Sequence, residues 1–534
     1  MLQEGKNMNN KILIFILCSL IFFTITFCSN TGPQTGTLSG TINLEGQSDH
    51  SGIIIGIYKL AELDPDIVEA NQKWPHIGVI INQHTEFDHR FGTLVKTGET
   101  DAAGYFEIGN IPTGVYNVVA IKDGFGFRYI YNVQINDGET ALSEQCKMNS
   151  QPVGGQVEKC IMKNDSSNSS HYSLFIEPHY SLKKERKADL LLYPETTISS
   201  DISTPTTFLS NHHYIIEQDI IVDDELTIEH GAIVRLNDGV KLTIYGDLTA
   251  VGEEDNFIWF TSNDSIFSFS VFRFPSFVSL YEYKSIELDG TFNKQVSYCK
   301  FDHAGTGLLS KVNGFEISDC VFRDSNCGFM AEYVDSTFCS NLLCENITGG
   351  SEGGIYFSHV TEGCIEKNVI NDCENGIQIK NNSNPEVKNN FLKNRKYNIW
   401  ILWDSLPLIH YNEFANENSY GVYNHKSFRL IQYNNFHNYI GVLYNECHPE
   451  VSEIHNNNFF CSLYAIKIRN TVYQTADINA ENNYFGTVDI TEIQNLIWDK
   501  NDLDENDPTY PHTGIVNFTP FLLSEVISAG IQGE

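Results

Sequence analysis

From residue 36 to about 146 the chain alternates short apolar runs with turn residues. The segments Tyr105 to Ile108, Val115 to Val119 and Tyr129 to Val133 carry the period of two expected of strands. Gly104, Gly109, Pro112-Thr113-Gly114 and Asp123-Gly124 punctuate them as turns. This predicts a small antiparallel β-sandwich over 36–146, with an unusually long insertion at 59–96. Periodicity is lost over 147–187, which reads as a polar linker.

Beyond the linker the pattern becomes repetitive. A turn residue two places before an apolar one recurs at Cys299/Phe301, Cys320/Phe322, Asn368/Ile370, Asn389/Phe391, Asn412/Phe414, Asn434/Phe436, Asn457/Phe459 and Asn483/Phe485. Ile347 fills the remaining gap, and the intervals run from 21 to 26 residues. A second phrase such as Gly354-Ile355, Gly376-Ile377 or Gly421-Val422 follows five to seven residues later. Two phrases in step predict one coil of a parallel β-solenoid per repeat, over 190–525. Each coil climbs one strand spacing, ~4.8 Å, so equivalent residues stack in columns. Asn368, Asn389, Asn412, Asn434, Asn457 and Asn483 then form an amide ladder at a tight turn, where Asn tolerates left-handed backbone. Cys299 and Cys320 share that column as stacked turn residues.

Alternation along the strand after each Gly-Ile phrase points Ile355/Phe357, Ile377/Ile379, Ile399/Ile401, Val422/Asn424, Val442/Tyr444 and Ile466/Ile468 inward. One outward column then reads Tyr356, Gln378, Trp400, Tyr423, Leu443, Lys467. The next reads Ser358, Lys380, Leu402, His425, Asn445, Arg469. Neither contains a carboxylate.

The run from Thr100 to Phe125, TDAAGYFEIGNIPTGVYNVVAIKDGF, resembles the carboxypeptidase regulatory-like domain, a prealbumin-like sandwich. That resemblance implies either a spacer or a sugar-binding module. The coil region, with YIIEQDIIVDDELTIEHGAIVRL at 214–236 and NNYFGTVDI at 482–490, resembles secreted right-handed parallel β-helix repeat proteins of the pectin-lyase-like architecture. Phe485 stands where that group usually has Trp. The resemblance implies either carbohydrate binding or cleavage of acidic polysaccharide. Hydrolases of this architecture use clustered Asp with a Gly-His-Gly, and lyases use calcium-holding carboxylates with Arg or Lys as base. Neither signature is present here.

Charge narrows the partners. Lys and Arg total 34 against 68 Asp and Glu, a net charge of −34, which argues against nucleic acid and against purely electrostatic membrane binding. Lys6 and Lys11 precede an apolar run to Phe27, which reads as an export signal over 1–28. It ends at Cys28 in a sequence similar to a bacterial lipoprotein box, despite Phe27 where a small residue is usual. Cys28 is therefore the expected lipidation site, with the protein at the outer membrane or cell surface, or else secreted. The other cysteines show no metal-type spacing. Asp499, Asp502, Asp504 and Asp507 with Asn506 superficially suggest a calcium loop, but the following Gly and closing Glu are missing. No metal or cofactor is expected.

These readings converge on an exported lipoprotein that binds an anionic polysaccharide, or serves as an adhesive scaffold, through its coils. The expected contacts are Tyr356, Gln378, Trp400, Tyr423, Lys380, His425, Lys467 and Arg469. The alternative is a lyase or hydrolase with an atypical site. Tyr423 or His425 would then accept a proton while Arg469 or Lys380 neutralises a carboxylate.

Overall fold

A computed structural model describes residues 34–136, 140–142, 190–263, 283–291, 293–427, 430–445, 452–469, 477–503, 507–509 and 513–533. The leader with Cys28, the linker 147–187, and Asp504 with Asn506 lie outside the described residues. The chain divides into two units: residues up to 59 with 93–122 and 127–192, and residues 60–92 and 123–126 with everything from 193 onward.

The first unit is the β-sandwich. Ile54–Lys59 lies between Leu94–Glu99 and Gly114–Ile121, which in turn pairs with Phe127–Ile135, all antiparallel. In the second sheet Thr35–Leu44 pairs antiparallel with Tyr105–Pro112 and parallel with Thr140–Leu142 and Leu190–Leu192. Alternate residues such as Leu38, Ile42, Ile55, Ile57, Phe106, Ile108 and Val118 are buried between the sheets. The insertion at 60–92 is not part of this sandwich. It belongs to the second unit, whereas Leu190–Leu192, expected to begin the coils, belongs to the first.

The second unit is a right-handed parallel β-helix with three faces. Face A contains Asn375–Lys380, Tyr397–Leu402, Tyr420–His425, Ile440–Asn445 and Tyr464–Arg469. Face B contains Glu386–Lys388, Leu408–His410, Leu430–Gln432 and Ser452–His455. Face C is a twelve-stranded sheet that includes Val321–Arg323, Leu343–Glu345, Val369–Asn371, Phe391–Lys393 and Glu413–Phe414. The inward residues expected on face A are all buried. Inward phenylalanines of face C stack along the axis, with Phe414, Phe436 and Phe459 spaced 4.5 and 4.9 Å. Stacking of like on like follows from in-register coils.

The Asn ladder is present, with one member corrected. Asn412 Nδ2 donates to Asn434 Oδ1 at 3.0 Å, and Asn390 Nδ2 to Asn412 Oδ1 at 2.9 Å. Asn390 therefore occupies the ladder position expected for Asn389, and its inward partner is Leu392, not Phe391. Likewise Cys344, not Ile347, pairs with Phe322 and Ile370. Cys299 and Cys320 lie in the ladder's column as expected, buried, with their thiols on backbone carbonyls.

Face C is covered by the chain itself. The helix Pro65–Lys73 starts at Asp64, whose side chain accepts from the amides of Asp66 and Ile67. Its apolar side packs Ile67 and Ala70, with Ile77 and Ile81, onto outward Val321, Leu343, Val369 and Phe391. At roughly 1.5–3 kcal/mol for each fully buried aliphatic side chain, this contact is a substantial part of the unit's stability. The C-terminal tail continues the cover. Val526 exchanges two hydrogen bonds with the Asn458 amide, and Gln532 reaches Asn389 Oδ1 at 3.0 Å.

Candidate functional site

The three faces differ in what lies over them. On face C, the charged outward column is consumed by the insertion. Arg323 pairs with Glu86 and Glu345 at 2.7 Å each, and Lys393 with Asp66 at 2.5 Å. Arg90 grips Asp88 at 2.8 Å and donates to Thr261 at 2.8 Å. On face B, Glu366, Glu386, Lys388 and His410 form a partly exposed ion network, which is ordinary solvated surface. Face A is different: aromatic rings gather on its outward side.

The expected columns of face A are in register. Tyr356, Gln378, Trp400, Tyr423, Leu443 and Lys467 pair in succession, and Trp498 follows Lys467. Ser358 pairs with Lys380, and Leu402, His425, Asn445 and Arg469 pair in succession. Exposure is where the expectation needs correction. Tyr356 and Gln378 are only 3% and 2% exposed, so they support the face without presenting a surface. Trp400 and Tyr423 are half-buried.

A third column had not been read from the sequence. Tyr397, Tyr420, Ile440 and Tyr464 pair in succession beside the first. Tyr397 stands 4.8 Å from Tyr423, 5.3 Å from Tyr420 and 5.3 Å from Trp400, ring centre to ring centre. Burial among these rings pushes the Tyr397 phenol up to about 12, so it stays a neutral donor. Cations border the cluster, with Lys396 Nζ 4.9 Å from the Tyr397 ring and Lys467 Nζ 4.8 Å from Tyr464. Trp400 Nε1 and Gln378 Oε1, on adjacent coils, are buried with no hydrogen-bond partner among the described residues.

The other end of the face has the opposite charge character. Glu332 pairs with Ser358 and so heads the second column, contrary to the expectation that it lacks carboxylates. Burial lowers the Lys380 pKa, while Glu332 and Glu352 pull it back up. Lys380 Nζ lies 4.4 Å from the Tyr356 ring and 5.8 Å from Trp403. Trp403 is 47% exposed and Tyr333 70%, the latter stacked on His359 at 4.5 Å. Lys380 thus stands under the influence of two acids. His425 Nδ1 is engaged with the Asn445 amide at 2.9 Å, and the same amide nitrogen donates to Tyr423 Oη at 3.0 Å. A ring nitrogen spent as an acceptor is a poor general base, which weighs against the catalytic roles expected of His425 and Tyr423.

Residues 262–448 match the model of a family described as periplasmic copper-binding protein (NosD). The matched span holds most of the coils whose columns build face A. Among solved structures, a mutant of the periplasmic alginate epimerase AlgG aligns over 60% of this chain and 79% of that chain, at 13% identity and a TM-score of 0.34. No curated protein sequence matches the chain.

The residues do not fit a copper ion. Among the described residues, one group brings three metal-type ligands within 4.8 Å: Asp88, Asp302 and His303. Arg90 holds both oxygens of Asp88, and Trp259 Nε1 donates to Asp302 Oδ2 at 2.8 Å. Lys300 adds a second cation 3.6 Å from Asp302. Two carboxylates already neutralised by two fixed cations offer a divalent ion no net attraction. The group is an ion-pair lock between insertion and coils. Asp499 is likewise occupied, its oxygens accepting from the amides of Asn501 and Val516 at 2.8 Å each.

Proposed function

We propose that the protein is exported and binds an acidic polysaccharide laid across face A, over the rings of Tyr397, Trp400, Tyr420, Tyr423 and Tyr464. The observation that carries this reading is the contrast between faces. Face C is sealed by the insertion and the tail, face B is an ordinary ion network, and face A gathers rings and cations. Rings of this kind suit the apolar faces of sugars, and Lys and Arg suit their acid groups. The orphaned Trp400 donor and Gln378 acceptor support a polar molecule completing the same layer. Export is supported by the leader run that ends at Cys28, and the same Cys supports a lipid anchor; mass spectrometry of the mature N-terminus checks both. The matched family's copper is not carried over to this chain, for the reason given by the Arg90 and Lys300 pairs.

Trp400→Ala combined with Tyr423→Ala should abolish retardation of the protein in affinity gels containing acidic polysaccharide, with an unchanged melting temperature. Unchanged retardation would place the ligand elsewhere.

A further inference from the structure

The C-terminal end of face A holds a small pocket, lined by Lys467, Arg469, Trp498, Leu503, Thr509 and Thr513, of about 110 Å³. Lys467 and Arg469 stand two places apart on the strand Tyr464–Arg469, so both project from the same side of the sheet. Neither side chain has an ion pair or a hydrogen bond among the described residues. Lys467 Nζ is held 4.8 Å from the Tyr464 ring and 5.2 Å from Trp498, which fixes its direction. Burial and the adjacent Arg469 both lower the Lys467 pKa.

Of the described carboxylates next to the lining in sequence, Asp499 accepts from the amides of Asn501 and Val516 at 2.8 Å each, Asp502 from the Asp499 amide at 2.9 Å, and Asp507 from the Thr509 amide and hydroxyl at 2.8 and 2.6 Å. The Thr513 hydroxyl donates to the Thr509 carbonyl at 3.0 Å. Water occupies about 30 Å³ per molecule, so the pocket admits the equivalent of three or four waters. That is room for one acid group and its attached carbon, and too little for a sugar ring.

We infer that this pocket is an anion subsite that seats a single carboxylate or sulfate ester of the glycan. The inference rests on reading face A as the saccharide face, and it adds a polarity to that face. Lys380, four coils away at ~4.8 Å per coil, has Glu332 and Glu352 acting on it, so the acid group is read at the Lys467 end.

The test compares wild type, Lys467→Ala/Arg469→Ala and Trp400→Ala/Tyr423→Ala by affinity electrophoresis in polygalacturonate, its carboxyl-reduced form and dextran sulfate. Thermal melting confirms that each variant folds. Loss of the two cations should weaken binding of whichever acid polymer the wild type retains by tenfold or more, and leave binding of the carboxyl-reduced polymer unchanged. The polymer affected tells carboxylate from sulfate. If the cation variant binds acid polymers like wild type while the ring variant does not, the subsite is overturned and the saccharide face stands. If neither variant loses binding, the reading of face A falls too. A wild type that binds neither acid polymer also overturns the subsite.

Discussion

The mid-ladder asparagines bond both the backbone and each other, which makes them hard to replace. In Asn412, Nδ2 donates to Val387 O at 2.8 Å, His410 O at 2.9 Å and Asn434 Oδ1 at 3.0 Å. Its Oδ1 accepts the backbone amide of Asn390 at 3.0 Å. Asn412→Ala leaves buried groups unpaired on both neighbouring coils, and should destabilise by ~1–3 kcal/mol. Asn418→Ala, on an exposed loop, should cost under ~0.5 kcal/mol. Urea midpoints of the two variants check the difference, and equal effects would refute the ladder. The slip from Asn390 to Asn389 has a physical cause. Asn389-Asn390 is followed by Phe391-Leu392, so two registers satisfy the same phrase, and only burial of Phe391 under Trp74, 5.6 Å between ring centres, shows which apolar residue faces out. Sequence periodicity reads apolar positions as inward. Where the outward side of a strand is also covered, that rule loses its discriminating power.

At the scale of elements, the insertion 60–92 decides which surface is free. Its sequence looked only like an overlong loop in the sandwich, because nothing in its composition reveals a partner hundreds of residues away. Arg323 is its electrostatic anchor, buried between Glu86 and Glu345. Arg323→Ala should free the helix Gln83–Glu86 by leaving two carboxylates unpaired, a loss of ~3–5 kcal/mol. Hydrogen–deuterium exchange over 60–92 should rise accordingly, with exchange in Asn412–Phe436 unchanged. Acid should act on the same element. Burial pushes the His89 imidazole from its ordinary 6.5 down to about 4. Between these values the unfolded chain binds a proton that the folded site refuses. The site's contribution is therefore full above about pH 6.5 and lost as pH falls toward 4. Corrected for the slower intrinsic exchange in acid, protection at 60–92 should fall from pH 7 to pH 5 in wild type, and much less in His89→Gln. An equal loss of protection in both would remove His89 as the cause.

For the molecule as a whole, the coils were legible because repetition stacks equivalent residues, and a period near 22 fixes three faces at once. The inward residues and two outward columns of face A followed from alternation alone. The Tyr397–Tyr420–Tyr464 column did not, because alternation gives these rings the inward parity of Ile399, Val422 and Ile466; two successive buried residues, such as Asn398 and Ile399, break the alternation and turn the rings outward. Glu332 was missed because the face continues one coil above the first such phrase used. Burial of Tyr356 and Gln378 was invisible for the opposite reason: outward-pointing says nothing of what neighbouring side chains cover. What survives is a face of rings bounded by cations at one end and acids at the other. Hydroxyl-radical footprinting of the full chain, with and without an acidic polysaccharide that it binds, tests that claim most directly. Protection should concentrate at Tyr397, Trp400, Tyr420, Tyr423, Tyr464 and Trp498, with Trp74 and Tyr411 unchanged. Protection confined to face B or to the first unit, with those six rings as reactive as in the free protein, would contradict the account.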